Sequence, residues 1–149
     1  MFKHLKNSLI KSPKLDSEIL LSHVLKKNLK EIIIDYDFRV KDNDVKKFRS
    51  LINRRMTGEP IAYILRNKEF WKYNLYVDQN VLIPRPDTEI IIEEILKIFK
   101  KNHKKSVLDI GTGSGCIIIS LAKELPKIYG TAIDISKKAI NVAKFNAKM

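Results

Sequence analysis

An apolar run through Val107 and Leu108 leads to Asp109, and three glycines follow at every second position, Gly111, Gly113 and Gly115. Glycine adopts positive φ without a Cβ penalty and lets a ligand approach the backbone closely. A second apolar run, from Tyr129, ends in another acid, Asp134. The spacing excludes two phosphate-binding loops. A Walker loop needs a Gly-Lys pair after four intervening residues, and the fifth residue after Gly111 is Cys116 with no lysine behind it. A dinucleotide fingerprint needs its third glycine three positions after the second. That position is again Cys116, and the third glycine is Gly115.

The turn is therefore G-x-G-x-G behind an acid, which suits a nucleoside ligand with a charged amino-acid end and no pyrophosphate. Asp109 can accept from water or from an ammonium group. Asp134 stands at the end of the next strand, where an acid bonds ribose hydroxyls in such units. Ligands of parallel sheets bind at the carboxyl ends of the strands, and both acids belong there. S-adenosylmethionine is the ligand that fits. The competing reading is a structural corner between strand and helix. The second acid, in the same unit as the glycines, favours the ligand.

The other polar residues are ordinary. Cys116 is expected to pack as a small helix residue. As the single cysteine it excludes an internal disulfide and a cysteine-based zinc site. His4, His23 and His103 are too scattered for a metal site. Trp71 is expected to anchor a hairpin rather than stack on a ligand.

The elements that must position these residues are legible in outline. Ser12-Pro13 reads as a helix cap with proline at the first helical position. Leu15, Ile19, Leu20 and Val24 follow at helical spacing. A second helix starts with Asp42 and Asp44, ends with Arg54 and Arg55 before Gly58, and carries Val45, Phe48, Leu51 and Ile52 on one face. The stretch from Glu69 to Pro84 turns aromatic and β-favouring, with the turn of a short hairpin expected at Lys72 to Asn74. Pro84 and Pro86 block regular structure, and a helix restarts near Asp87 or Thr88 with Ile91, Ile92, Ile95, Leu96 and Phe99 inward. Strand Ser106–Ile110, helix Cys116–Leu125 closed by Pro126, a strand from Tyr129 to Asp134 and a helix capped by Ser136 complete a βαβ unit, which implies a parallel sheet.

With 149 residues and 44% hydrophobic content, the chain can bury a core and does not read as disordered. No apolar run is long enough to span a membrane, and the N-terminus does not read as a signal peptide. A cytoplasmic location is expected. The formal net charge is +12. Apart from the run Lys97 to Lys105, its lysines are scattered beside many isoleucines and asparagines, so a solvated surface explains it better than a nucleic-acid footprint.

Four stretches in order, "GEPIAYI" (Gly58 to Ile64), "EFW" (Glu69 to Trp71), "VLIPRPDTE" (Val81 to Glu89) and "VLDIGTGSGCIIISLA", resemble the HemK/PrmC family of methyltransferases, which modify the glutamine side chain of peptide-chain release factors. The resemblance covers essentially the whole chain. It implies a small all-helical substrate-docking domain over residues 1–67, a β-hairpin bridge over residues 68–86, and the beginning of a Rossmann-like α/β methyltransferase domain over residues 87–149. It also implies that Gly111, Thr112, Gly113, Ser114 and Gly115 wrap the methionine portion of S-adenosyl-L-methionine, that Asp134 holds the ribose, and that Asp109 supports the same pocket. Pro84 and Arg85 are candidates for the pocket border, with an ordinary surface ion pair as the competing role for Arg85. Release factors are the implied partners, nucleic acid is not expected as substrate, and a monomer is expected at full length.

The family's Asn-Pro-Pro-Tyr motif, which orients the acceptor amide, has no counterpart before Met149. The sequence thus contains no catalytic residue by this resemblance, and the chain is expected to be a front portion inactive alone. A nucleic-acid amino-group methyltransferase and a non-catalytic protein-binding fragment stay open as alternatives.

Overall fold

The structure is a computed structural model that describes residues 10–34, 39–100, 102 and 104–149. His4 and His103 lie outside the described residues. The chain divides into two compact units, residues 1–65 and 66–149.

The first unit is helical. Its elements are α1 (Pro13–Leu25), α2 (Leu29–Ile34), α3 (Asp42–Met56) and α4 (Ile61–Leu65). Leu20, Phe48, Ile52 and Ile64 form its core, with Leu21, Val24, Leu51 and Ile61 packed around them. Ser12 is the N-cap of α1 with Pro13 at the first helical position, but its side chain makes no capping bond. The inward face of α1 also differs from its apolar spacing. Leu15 is 46% exposed, while Asp16 and Glu18 are buried. Asp16 tolerates burial because Oδ2 accepts from Arg55 Nε of α3 at 2.7 Å. Leu15, one helical step away, points to the exposed side of the helix. Helix α3 ends as its sequence implies, with Gly58 at φ +90° just beyond it.

The second unit opens with a hairpin. Strands β1 (Lys68–Phe70) and β2 (Tyr73–Leu75) pair antiparallel, with Phe70 opposite Tyr73. The turn therefore falls at Trp71 and Lys72, earlier than the Lys72 to Asn74 segment expected, and Trp71 takes φ +57°. The reason is tertiary. Glu89 Oε1 accepts from Trp71 N at 2.9 Å. Glu124 Oε1 accepts from Trp71 Nε1 and Lys72 Nζ, both at 2.9 Å, and from Tyr73 Oη at 3.2 Å. One buried-side carboxylate oxygen thus gathers three donors of the hairpin tip.

A 3-10 turn at Pro86–Thr88 leads into α5 (Glu89–Ile98). Ile92 is fully buried and packs with Phe70, Leu75 and Leu121, while Ile95 and Leu96 flank them. Ile91, expected inward, is 45% exposed. It lies one helical step, about 100°, from Ile92 and falls at the edge of the stripe. Then β3 (Lys105–Ile110), α6 (Cys116–Glu124), β4 (Ile128–Ile133) and α7 (Lys137–Lys148) follow. Strands β3 and β4 are parallel, with Asp109 opposite Ala132 and Ile110 opposite Ile133. Alternation assigns their faces. Val107 and Ile128 pack into the core, and Gly130 admits α6 so closely that a Cβ there would lie 2.9 Å from Ile118 Cδ1. Leu108, Ile110, Tyr129 and Ile133 face outward and are exposed.

Candidate functional site

The site forms where β3 and β4 end. Gly111 N and Thr112 N both donate to Ile133 O, at 2.9 and 3.0 Å, so the turn after β3 is fixed on the last residue of β4. The three glycines have φ of +76°, +55° and +80°. L side chains are strained in that region, which explains the glycine at each position. Their surroundings separate them. A Cβ at Gly111 would meet nothing within 4 Å, and one at Gly113 only Gly111 O at 4.0 Å. One at Gly115 would lie 2.7 Å from Ile119 Cδ1 and 3.2 Å from Ala143 Cβ. Gly111 and Gly113 leave open space, whereas Gly115 lets α6 and α7 close together.

Both acids meet the turn. Asp109 Oδ2 accepts from Thr112 Oγ1 at 2.7 Å. Asp134 Oδ2 accepts from Gly113 N at 2.9 Å, and its Oδ1 from Ser136 N at 2.8 Å. The N–H groups of Ser136 and Gly113 hold the Asp134 carboxyl below its ordinary value, because they favour the ionised form. Ser136 Oγ in turn accepts from Ala139 N at 3.2 Å, the cap its sequence implies for α7. Thr112 and Ser114 are buried, so the turn offers its backbone rather than these side chains to solvent. Cys116 packs into the core cluster as a small helix residue, and burial pushes its thiol up.

Asp109, Gly111, Thr112, Gly113, Ser114, Gly115 and Asp134 thus come together in one turn. Pro84 is buried and Arg85 exposed before the 3-10 turn, where Arg85 O accepts from Thr88 N. No hydrogen bond among the described residues joins these two to the glycines. An apolar cleft lined by Ile118, Ile119, Ala132, Ile140 and Ala143 opens between α6, β4 and α7, and no acid lines it. His23 is exposed, and no cluster of metal-ligating side chains occurs among the described residues. No described helix is long and apolar enough to cross a membrane.

Two residues of this unit escape sequence reasoning. Glu124 gathers the hairpin tip. Asn146 is 1% exposed on α7, with Nδ2 donating to Ser114 O at 2.8 Å. The signal for Asn146 was a polar residue on the stripe of Ala139, Val142 and Ala143, a position that demands hydrogen-bond partners.

Comparison with known proteins gives two domain matches. Residues 2–65 match the PrmC N-terminal domain, and residues 88–149 match the methyltransferase small domain. The chain is 44% identical over 138 residues to a protein of Coxiella burnetii named release factor glutamine methyltransferase, covering 93% of this chain and 50% of that protein. It is 45% identical over 135 residues to a protein of the same name from Buchnera aphidicola subsp. Schizaphis graminum, covering 91% and 49%. A third of that name, from Clostridium acetobutylicum, is 42% identical over 131 residues, covering 88% and 46%. The chain spans about half the length of the curated relatives it matches.

Proposed function

We propose, for a chain whose first segment matches the PrmC N-terminal domain and whose second matches the methyltransferase small domain, that it serves S-adenosylmethionine-dependent methylation of the glutamine side-chain amide in peptide-chain release factors. The observation that carries this reading is the closed turn in which Gly113 N donates to Asp134 Oδ2 at the carboxyl ends of two parallel strands.

The residues present fit the donor. An ionised carboxylate offers about four acceptor positions, and backbone N–H groups take two of those on Asp134. The remainder suits the paired hydroxyls of a ribose. Asp109 has one oxygen committed to Thr112, which leaves the other for an ammonium group or a water. The open space at Gly111 and Gly113 permits a methionine portion to lie against the backbone. When bound, the donor supplies a methyl group on a sulfonium sulfur that departs as a neutral thioether. The part of this chain is to bind and orient: the carboxylates neutralise positive charge, and a rigid backbone removes freedom that the reaction would otherwise have to overcome. The helical unit over residues 1–65 is assigned to docking the acceptor, since the glycine turn carries no information about it.

The net charge of +12 is the observation that favours nucleic acid as the acceptor instead. Methyl transfer from S-adenosylmethionine, measured side by side on purified release factors and on nucleic acid, separates the two. Label appearing on nucleic acid alone overturns the release-factor assignment. Calorimetric titration with S-adenosylhomocysteine tests donor binding independently, and no binding at millimolar ligand overturns the donor site.

A further inference from the structure

The glycine turn is held from both sides by one line of hydrogen bonds. Asp134 Oδ2 accepts from Gly113 N at 2.9 Å. The carbonyl of that same peptide unit, Thr112 O, accepts from Gly115 N at 2.8 Å. The carbonyl of the latter peptide unit, Ser114 O, accepts from Asn146 Nδ2 at 2.8 Å. Two alternate peptide planes, Thr112–Gly113 and Ser114–Gly115, are therefore each pinned at both ends. The line runs from the carboxylate to a side chain of α7.

Asn146 is itself fixed. Its second Nδ2 proton goes to Tyr76 O at 2.9 Å, and its Oδ1 accepts from Tyr76 N at 2.7 Å. Turning the amide over would face an oxygen to two carbonyls and the NH2 group to an N–H, so one orientation alone satisfies it. Tyr76 is held too, its ring 5.0 Å from that of Phe145 in an edge-on arrangement at 64°. Buried bonds of this kind polarise one another along a chain, and glycine backbones at positive φ have no side chain to hold them in place.

We propose that Asn146 is a positioning residue of the turn: by holding Ser114 O it sets the two peptide planes that aim Gly113 N at Asp134, and so keeps the turn in its ligand-holding form. The donor-binding part of this statement rests on the function proposed above; the relay itself does not. Removal of Asn146 Nδ2 frees the Ser114–Gly115 plane, which loosens the Thr112–Gly113 plane and then the Asp134 contact.

The experiment uses the whole chain and two variants. Asn146→Leu keeps the volume and removes all three bonds. Asn146→Asp keeps an oxygen for Tyr76 N and removes the donor to Ser114 O, so it decides the matter if the leucine variant does not fold. In nuclear magnetic resonance spectra, the Gly113 and Gly115 amide protons are expected to move upfield together. The Leu108 and Thr131 amides of the β3–β4 ladder are expected to stay in place, which a general loss of structure would not allow. Affinity for S-adenosylhomocysteine is expected to fall roughly five- to tenfold, the weight of one ordinary hydrogen bond. Glycine amides that do not move in either folded variant overturn the proposal. Glycine amides that move while the unsubstituted chain binds no S-adenosylhomocysteine support the relay and overturn the donor reading instead.

Discussion

Substitution of Gly115 by alanine separates the mechanical role of one glycine from the ligand-facing role proposed for another. Gly115 has φ +80°, and placing an L residue there costs about 1–2 kcal/mol. Its new Cβ would lie 2.7 Å from Ile119 Cδ1, 3.2 Å from Ala143 Cβ and 3.4 Å from Ala143 Cα. The Ile119 methyl can swing aside, but the Ala143 contacts yield only if α7 moves. Overpacking of this kind costs about 1–3 kcal/mol. The total expected for Gly115→Ala is about 2–5 kcal/mol, because the two costs arise independently and add. Gly113→Ala carries only the backbone cost of about 1–2 kcal/mol, since its nearest neighbour would be Gly111 O at 4.0 Å. Urea unfolding followed by far-ultraviolet circular dichroism measures both, provided the slope with denaturant is unchanged. Titration with S-adenosylhomocysteine is expected to reverse the order relative to stability, with Gly113→Ala losing more affinity than its stability loss explains. A Gly115→Ala variant no less stable than Gly113→Ala would refute the reasoning.

Asp134→Ala is expected to weaken S-adenosylhomocysteine about tenfold or more, as befits bonds to a charged group; unchanged affinity in calorimetry would remove Asp134 from the site. Because the Asp134 carboxyl is held below its ordinary value, it contributes stability above the ordinary carboxylate range that is lost as pH falls through and below it. Asp134→Asn should therefore flatten the acid side of a stability profile. Glu124 is likewise lowered, first by its bond from Lys72 and then by that from Trp71, so the emission of Trp71, the single tryptophan, should titrate at a pH below the ordinary glutamate value. Glu124→Ala should abolish that titration, and a titration that persists would show another group to be responsible. Arg55→Ala leaves Asp16 without the 2.7 Å bond from Nε, at side-chain exposures of 19% and 13%. The expected loss is about 1–3 kcal/mol, between exposed and fully buried pairs, and a double-mutant cycle with Asp16→Asn should show most of it as coupling.

Sequence by itself determined the features that rest on local chemistry. The positive φ values at Gly111, Gly113 and Gly115 follow from residue type, and the Ser136 cap and the Gly58 stop follow from what those residues do at helix ends. The parallel pairing of β3 and β4 follows from a helix between two apolar runs. Tertiary structure alone decided what depends on partners distant along the chain. Asp16 is buried where Arg55 of α3 supplies its partner, while Leu15 beside it is exposed. The hairpin turns at Trp71 because Glu89 and Glu124 collect its donors. Ser114 O meets Asn146 Nδ2 across 32 residues, and Tyr76 meets the same side chain across 70. Residue type announces that a buried amide needs partners. Only the packing of α7 against the turn selects which backbone groups they are, because hydrogen bonds are short and directional while separation along the chain sets no distance in space.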